Sequence, residues 1–230
     1  MNKQTQLVFC HAGASPADYE IQTEFGRRYK LHIQTVLFVI AILFPLAAFA
    51  MDEMTVYELL DPDTHKFAIR YDVSAVEAGS KYYFNIIRPG SKAYDEKVLD
   101  RATGKEIPFE LTDAKEAKAN GQADKDTPDE TKFIKITLPH PVSKDGECRL
   151  RILKTYEDPK SYFVENGLLT FDRSLGVKRN MIILPAGYEL VGATVPVMMD
   201  IAEDNRVRIS MVNDRDDELG VKITARKIKP

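Results

Sequence analysis

The chain has 230 residues, with 32 Lys and Arg against 35 Asp and Glu, two cysteines and no tryptophan. Its formal charge of −3 is ordinary solubility charge, and basic and acidic residues are interspersed. That leaves no basic footprint for nucleic acid. Without tryptophan, a dedicated carbohydrate module lacks its largest stacking face.

The first organised stretch is the apolar run Leu31 to Ala50, LHIQTVLFVIAILFPLAAFA. Arg27, Arg28 and Lys30 precede it, Val36 to Phe44 is uninterrupted, and Pro45 breaks it before Ala48-Phe49-Ala50. Basic residues, an apolar h-region over 36–49 and small residues at an A-x-A site predict a signal peptide. Ala48 and Ala50 are its recognition residues, and cleavage follows Ala50. The competing outcome is an uncleaved anchor, because 20 helical residues span about 30 Å, enough to cross a bilayer. Residues 1–30 are long for an n-region. A later start site explains that, as does a twin-arginine signal on Arg27-Arg28, whose surroundings match that pattern only in part. The protein is thus expected in the periplasm or outside the cell, with membrane tethering by residues 31–50 as the alternative.

Residues 51–230 predict one domain. Its only cysteine, Cys148, excludes an internal disulfide. Period-two alternation dominates, as in half-buried strands. Phe67, Ile69, Tyr71 and Val73 alternate with polar neighbours. Lys81 to Arg88, KYYFNIIR, is apolar on both faces until Pro89-Gly90. Val98 to Leu111 reads as a hairpin with Thr103-Gly104-Lys105 at its tip and Pro108 marking an edge. Residues 112–131, TDAKEAKANGQADKDTPDET, hold no apolar side chain larger than alanine. They predict a mobile surface loop with at most a helical turn near Ala114 to Lys118.

Ile134, Ile136 and Leu138 share a face, and Glu147 to Tyr156 forms the next strand, with Cys148, Leu150 and Ile152 in phase. Asn166-Gly167 between two short apolar runs is a hairpin signal. Lys178 to Leu184, Tyr188 to Val197, Arg206 to Asn213 and Leu219 to Ile228 complete the chain. About ten strands with turns between them predict an all-β, antiparallel β-sandwich.

Ile182 to Pro196 carries the pattern L-P-x-G-Y-x-L followed by V-P. It resembles β-sandwich domains of exported proteins, among them the luminal domain of ribophorin-type oligosaccharyltransferase subunits and the N-terminal domains of zinc aminopeptidase-like proteins. It is also similar to a group of uncharacterised exported bacterial proteins with counterparts of Lys154-Thr155-Tyr156 and Phe171-Asp172-Arg173. The resemblance implies a sandwich and an accessory role. The aminopeptidase zinc signature H-E-x-x-H is absent, so no catalytic residue carries over.

Candidate chemistry is sparse. His65 and His140 lack a second histidine at metal-ligand spacing. Ser174 has no G-x-S-x-G context. Asp200, Glu203, Asp204 and Asn205 lack a calcium-loop register. Cys148 reads as a small buried side chain. Tyr83, Tyr94 and Tyr162 are the candidate stacking residues for a ligand groove. Arg173 and Arg179, with Lys178, are a candidate anion patch beside Asp172. No metal or cofactor is expected. These features predict a non-catalytic exported protein that binds a protein partner or joins an envelope or extracellular assembly. The alternatives are a hydrolase with a site assembled from separate strands and a small-ligand or glycan module.

Overall fold

A computed structural model describes residues 53–228. The expected signal segment and its expected cleavage residues Ala48 and Ala50 lie outside the described residues. Among these, no helix is long and apolar enough to cross a membrane.

The described chain is all-β, with fourteen strands and one short α-helix. A seven-stranded sheet forms the base. It contains β1 (Met54–Leu59), β2 (Lys66–Ala75), β4 (Lys92–Asp100), β7 (Cys148–Glu157), β10 (Arg179–Ile183), β12 (Met198–Ile201) and β13 (Val207–Val212). Their spatial order is β12-β13-β10-β1-β2-β7-β4. One face of this base is covered by two smaller sheets. The first has the order β11-β14-β9-β8, from β8 (Tyr162–Glu165), β9 (Leu168–Leu175), β11 (Tyr188–Ala193) and β14 (Leu219–Lys227). The second has the order β3-β6-β5, from β3 (Tyr82–Ile86), β5 (Phe109–Asp113) and β6 (Lys132–Thr137). The sandwich architecture follows, because each half-apolar sheet must bury its inner face.

The pairing differs from expectation at two places. β1 pairs parallel with β10, Met54 opposite Arg179, so the base sheet is mixed. Periodicity sets which face of a strand is buried and says nothing of its direction. The predicted 98–111 hairpin closes only at its tip, where Leu99 bridges Glu106 and Ile107 N donates to Val98 O. Pro108 cannot donate to the ladder. Beyond it the chain leaves the base sheet, and β5 pairs with β6. The Asn166-Gly167 hairpin is as expected, with φ of 52° and 76° at its two residues.

Within 112–131, the helical turn expected near Ala114 to Lys118 is present. Thr112 and Asp113 end β5, and Ala114–Ala119 form helix α1. The Asp113 carboxylate caps it by accepting from Lys115 N and Glu116 N. Ala114 and Ala117 are fully buried against Phe84 and Phe133 on the outer face of the three-stranded sheet. Alanine's smallness is what permits this close approach, and composition alone does not reveal it. It also explains why β3 is apolar on both faces: Tyr83 and Asn85 face the base sheet, whereas Phe84 faces the helix side.

Two apolar clusters lie on the inner face of the base sheet. Under the four-stranded sheet, Phe67 meets Tyr57, Tyr156, Tyr162 and Phe171 edge-on at centroid distances of 5.4 to 6.4 Å. Such contacts add about 0.5–1.5 kcal/mol each beyond area burial. Under the three-stranded sheet, Val73, Leu150 and Ile152 pack on Ile134 and Ile136. Along β7 the inward series runs Cys148, Leu150, Ile152, Lys154, Tyr156. The lysine falls between the two clusters.

Candidate functional site

Lys154 marks a polar seam where the two small sheets meet above the base. It is 7% exposed, and its Nζ donates to Asn85 Oδ1 at 2.6 Å. It also stands 4.9 Å from the Tyr156 ring centroid. Burial pulls its pKa down to about 7, helped by the nearby Arg173 charge and opposed by Glu96. Glu96 belongs to a bulge in β4, where register shifts between Tyr94 and Lys97 and Asp95 takes a φ of 55°.

Arg173 is the second buried cation. In β9 it lies in phase with Leu169, Phe171 and Leu175, so the alternation turns it inward. Its guanidinium carbon is 5.9, 5.4 and 5.5 Å from the ring centroids of Tyr57, Phe67 and Tyr156. Its Nη1 meets Asp158 Oδ2 at 3.2 Å. Burial acts to raise the Asp158 pKa, yet donors from Ser161 and Ser91 and the Arg173 charge hold it below the usual range. The candidate anion patch of Arg173, Lys178 and Arg179 beside Asp172 is not formed, because Arg173 turns inward to Asp158. Asp172 faces the other way, 3.9 Å from Lys222.

Between these groups lies an open cleft of about 470 Å³. Its cations are Arg88, Lys154 and Arg173, and its apolar wall includes Ile69, Ile86, Pro89 and Val177. Arg88 Nη1 donates to Ser174 O, and its backbone N–H donates to Tyr156 Oη. Sequence reasoning singled out Arg173 and missed Lys154, Arg88 and Asn85 as site residues. The available signal was a basic residue on the apolar phase of a strand, in β7 as in β9.

The remaining candidates do not converge. Tyr162 is fully buried in the aromatic cluster, and its hydroxyl donates to Leu60 O at 2.6 Å. Tyr83 is half-buried beneath the three-stranded sheet against Tyr71, and its pKa is pushed up to about 12, chiefly by burial. Tyr94 is exposed on β4, with its hydroxyl 3.2 Å from Glu157 Oε2 and Lys66 Nζ 5.0 Å from its ring centroid. No single groove holds the three. Arg179 is exposed at the start of β10, and its Nε donates to Glu53 O. It is not part of the Arg173 cluster.

The fold brings His140 to Cys148, with Nδ1 3.7 Å from Sγ. Burial and the Asp100 charge push the thiol pKa up, so this is not an activated nucleophile. His65 Nδ1 donates to Tyr162 O. In the acidic turn, Asp200 is held by Arg208 and Asp204 by Arg206. Among the described residues, no group of three or more His, Cys, Asp or Glu side chains is arranged to hold a metal ion.

A different surface feature lies at one edge of the base sheet. All four residues of β12 are exposed, with Met198 at 67%, Met199 at 58% and Ile201 at 56%.

No protein-family description matches the chain, and no curated protein matches it. Among solved structures, the chain is similar to the M1 zinc metallopeptidase from Deinococcus radiodurans at 9% identity and a TM-score of 0.46, over 76% of this chain and 41% of that one. It is likewise similar to an aminopeptidase N family protein from Idiomarina loihiensis at 8% identity and a TM-score of 0.44, over 75% of this chain and 29% of that one. The chain thus spans well under half the length of either protein. The resemblance is distant, and no residue, substrate or activity is carried across it.

Proposed function

We propose that the protein is an exported, non-catalytic β-sandwich that takes up an extended segment of a protein partner along β12. The carrying observation is the contrast between the two edges of the base sheet. The β4 edge is blunted by a bulge and by Lys92, Asp95, Glu96 and Lys97, devices that discourage strand addition. The β12 edge has two methionines, an isoleucine and one charge, Asp200, which Arg208 holds at 2.6 and 2.9 Å. A strand laid along it would use its open backbone groups and cover its apolar side chains. Support for export is the basic–apolar–A-x-A order of residues 27–50. Support for a non-catalytic role is the protonated Cys148 and the engagement of Asp200 and Asp204 in ion pairs with Arg208 and Arg206.

The test is site-specific photo-crosslinking in the producing cells. A crosslinker at Met198 is expected to give a discrete adduct that maps to an extended partner segment, and one at Lys92 on the opposite edge is expected to give none. Equal adducts at both edges, or none at Met198, would overturn the reading.

A further inference from the structure

We propose that the cleft between the two small sheets is a binding site for a small monocarboxylate with an apolar body. The inference is independent of partner docking on β12, which lies on another part of the molecule's surface chemistry and uses no cation of the cleft.

The cleft has cationic donors left to offer. Of Arg88, Lys154 and Arg173, only Arg173 has a carboxylate partner, Asp158. Lys154 is nine-tenths buried, and of its three N–H groups one is given to Asn85. Arg88 gives a guanidinium N–H to a neutral carbonyl, Ser174 O. Neither Lys154 nor Arg88 forms an ion pair among the described residues. A buried ammonium with unspent donors is costly unless an anion completes it.

Three cations line the cleft, and three carboxylates stand near them: Asp158 paired with Arg173, Glu218 on the lining, and Glu96 at longer range from Lys154. With no large excess of positive charge, the site suits a monoanion better than a dianion such as phosphate. The phenols of Tyr57, Tyr71 and Tyr156 are all held in their neutral form by burial, so they add no negative charge. Glu96 faces Lys154 from β4 without forming an ion pair and favours its charged form. The guanidinium of Arg88 presents a planar fork that matches a carboxylate. Ile69, Ile86, Pro89 and Val177 give that carboxylate's carbon skeleton an apolar wall. A volume of about 470 Å³ lies in the range of small-molecule sites.

The experiment titrates the protein, purified from the producing cells, with benzoate, and in parallel with benzyl alcohol and inorganic phosphate. At about pH 6, where Lys154 carries its proton, benzoate is expected to saturate with a Kd near or below about 1 mM. Benzyl alcohol and phosphate are expected to bind at least about tenfold more weakly. Benzoate affinity falls as pH rises past about 7, because the ammonium that receives it is lost. Lys154→Met is expected to weaken benzoate by more than about tenfold. If that variant does not fold, Arg88→Gln, at a half-buried position, carries the same test. No saturation by about 20 mM benzoate, equal binding of benzyl alcohol, tighter binding of phosphate, or unchanged affinity in a folded Lys154→Met or Arg88→Gln variant would each overturn the proposal. Met199→Lys and Ile201→Lys are expected to leave benzoate binding intact, so failure here and failure of strand docking are read separately.

Discussion

Lys154 and Asn85 join two sheets through one hydrogen bond: the β7 ammonium donates to the β3 side-chain carbonyl at 2.6 Å. It is a polar link between the base sheet and the three-stranded sheet, set between two apolar clusters. Its charge state therefore bears on how firmly the sheets hold together.

That charge state makes stability depend on pH. The folded pKa of Lys154, about 7, lies below the ordinary lysine value of 10.5 that holds in the unfolded chain. Between these values the unfolded chain binds the extra proton, so stability rises with pH, by about 1.4 kcal/mol per unit at most. Below the folded value both states are protonated and the slope vanishes. Urea unfolding from pH 6 to 9 should show this rise in the wild type and its absence in Lys154→Met. Parallel curves for the two proteins would refute it.

The Arg173–Asp158 pair predicts the opposite window. Both side chains are 7% exposed. Asp158→Asn should cost about 3–5 kcal/mol at neutral pH, because the guanidinium stays buried without its counter-charge. The Asp158 pKa is held low in the folded state, so its contribution is complete above the ordinary carboxylate range. It is lost as pH falls through the folded value. The difference between wild type and variant, measured by denaturant unfolding, should therefore shrink in acid.

Helix α1 offers a packing test. Ala117 is 0% exposed against the three-stranded sheet. Ala117→Leu should destabilise by about 1–3 kcal/mol through overpacking. Hydrogen exchange should quicken first over 114–119 and β3. An unchanged exchange pattern would mean that the helix does not rest on the sheet.

Tyr162→Phe separates core from ligand roles. Loss of the bond to Leu60 O should cost about 1 kcal/mol of unfolding free energy and leave benzoate binding unchanged.

Much of this architecture was legible in the sequence because alternation reports burial. Phe67 through Val73, and Cys148 through Ile152, turn inward as their phase requires. The parallel pairing of β10 was hidden because direction leaves no mark on period two. The docking of the short helix was hidden because Ala114 and Ala117 gain their burial from Phe84 and Phe133, which are distant in sequence. The seam was half visible. Lys154 and Arg173 stand on apolar phases, but that Arg88 and Asn85 would face them depends on how the three-stranded sheet is placed. Tyr83, Tyr94 and Tyr162 were sorted by the fold into different environments that residue type alone does not distinguish.

The pairing of β1 with β10 also sets an order of events. Met54 finds Arg179 only after more than half the chain has emerged. Until then β1 can pair with β2 alone, and the middle of the base sheet has a bare side. Long-range pairing of this kind slows folding and prolongs the exposure of apolar strands. During folding, that delay is a period in which a chaperone, or a neighbouring copy, competes for the vacant position beside β1.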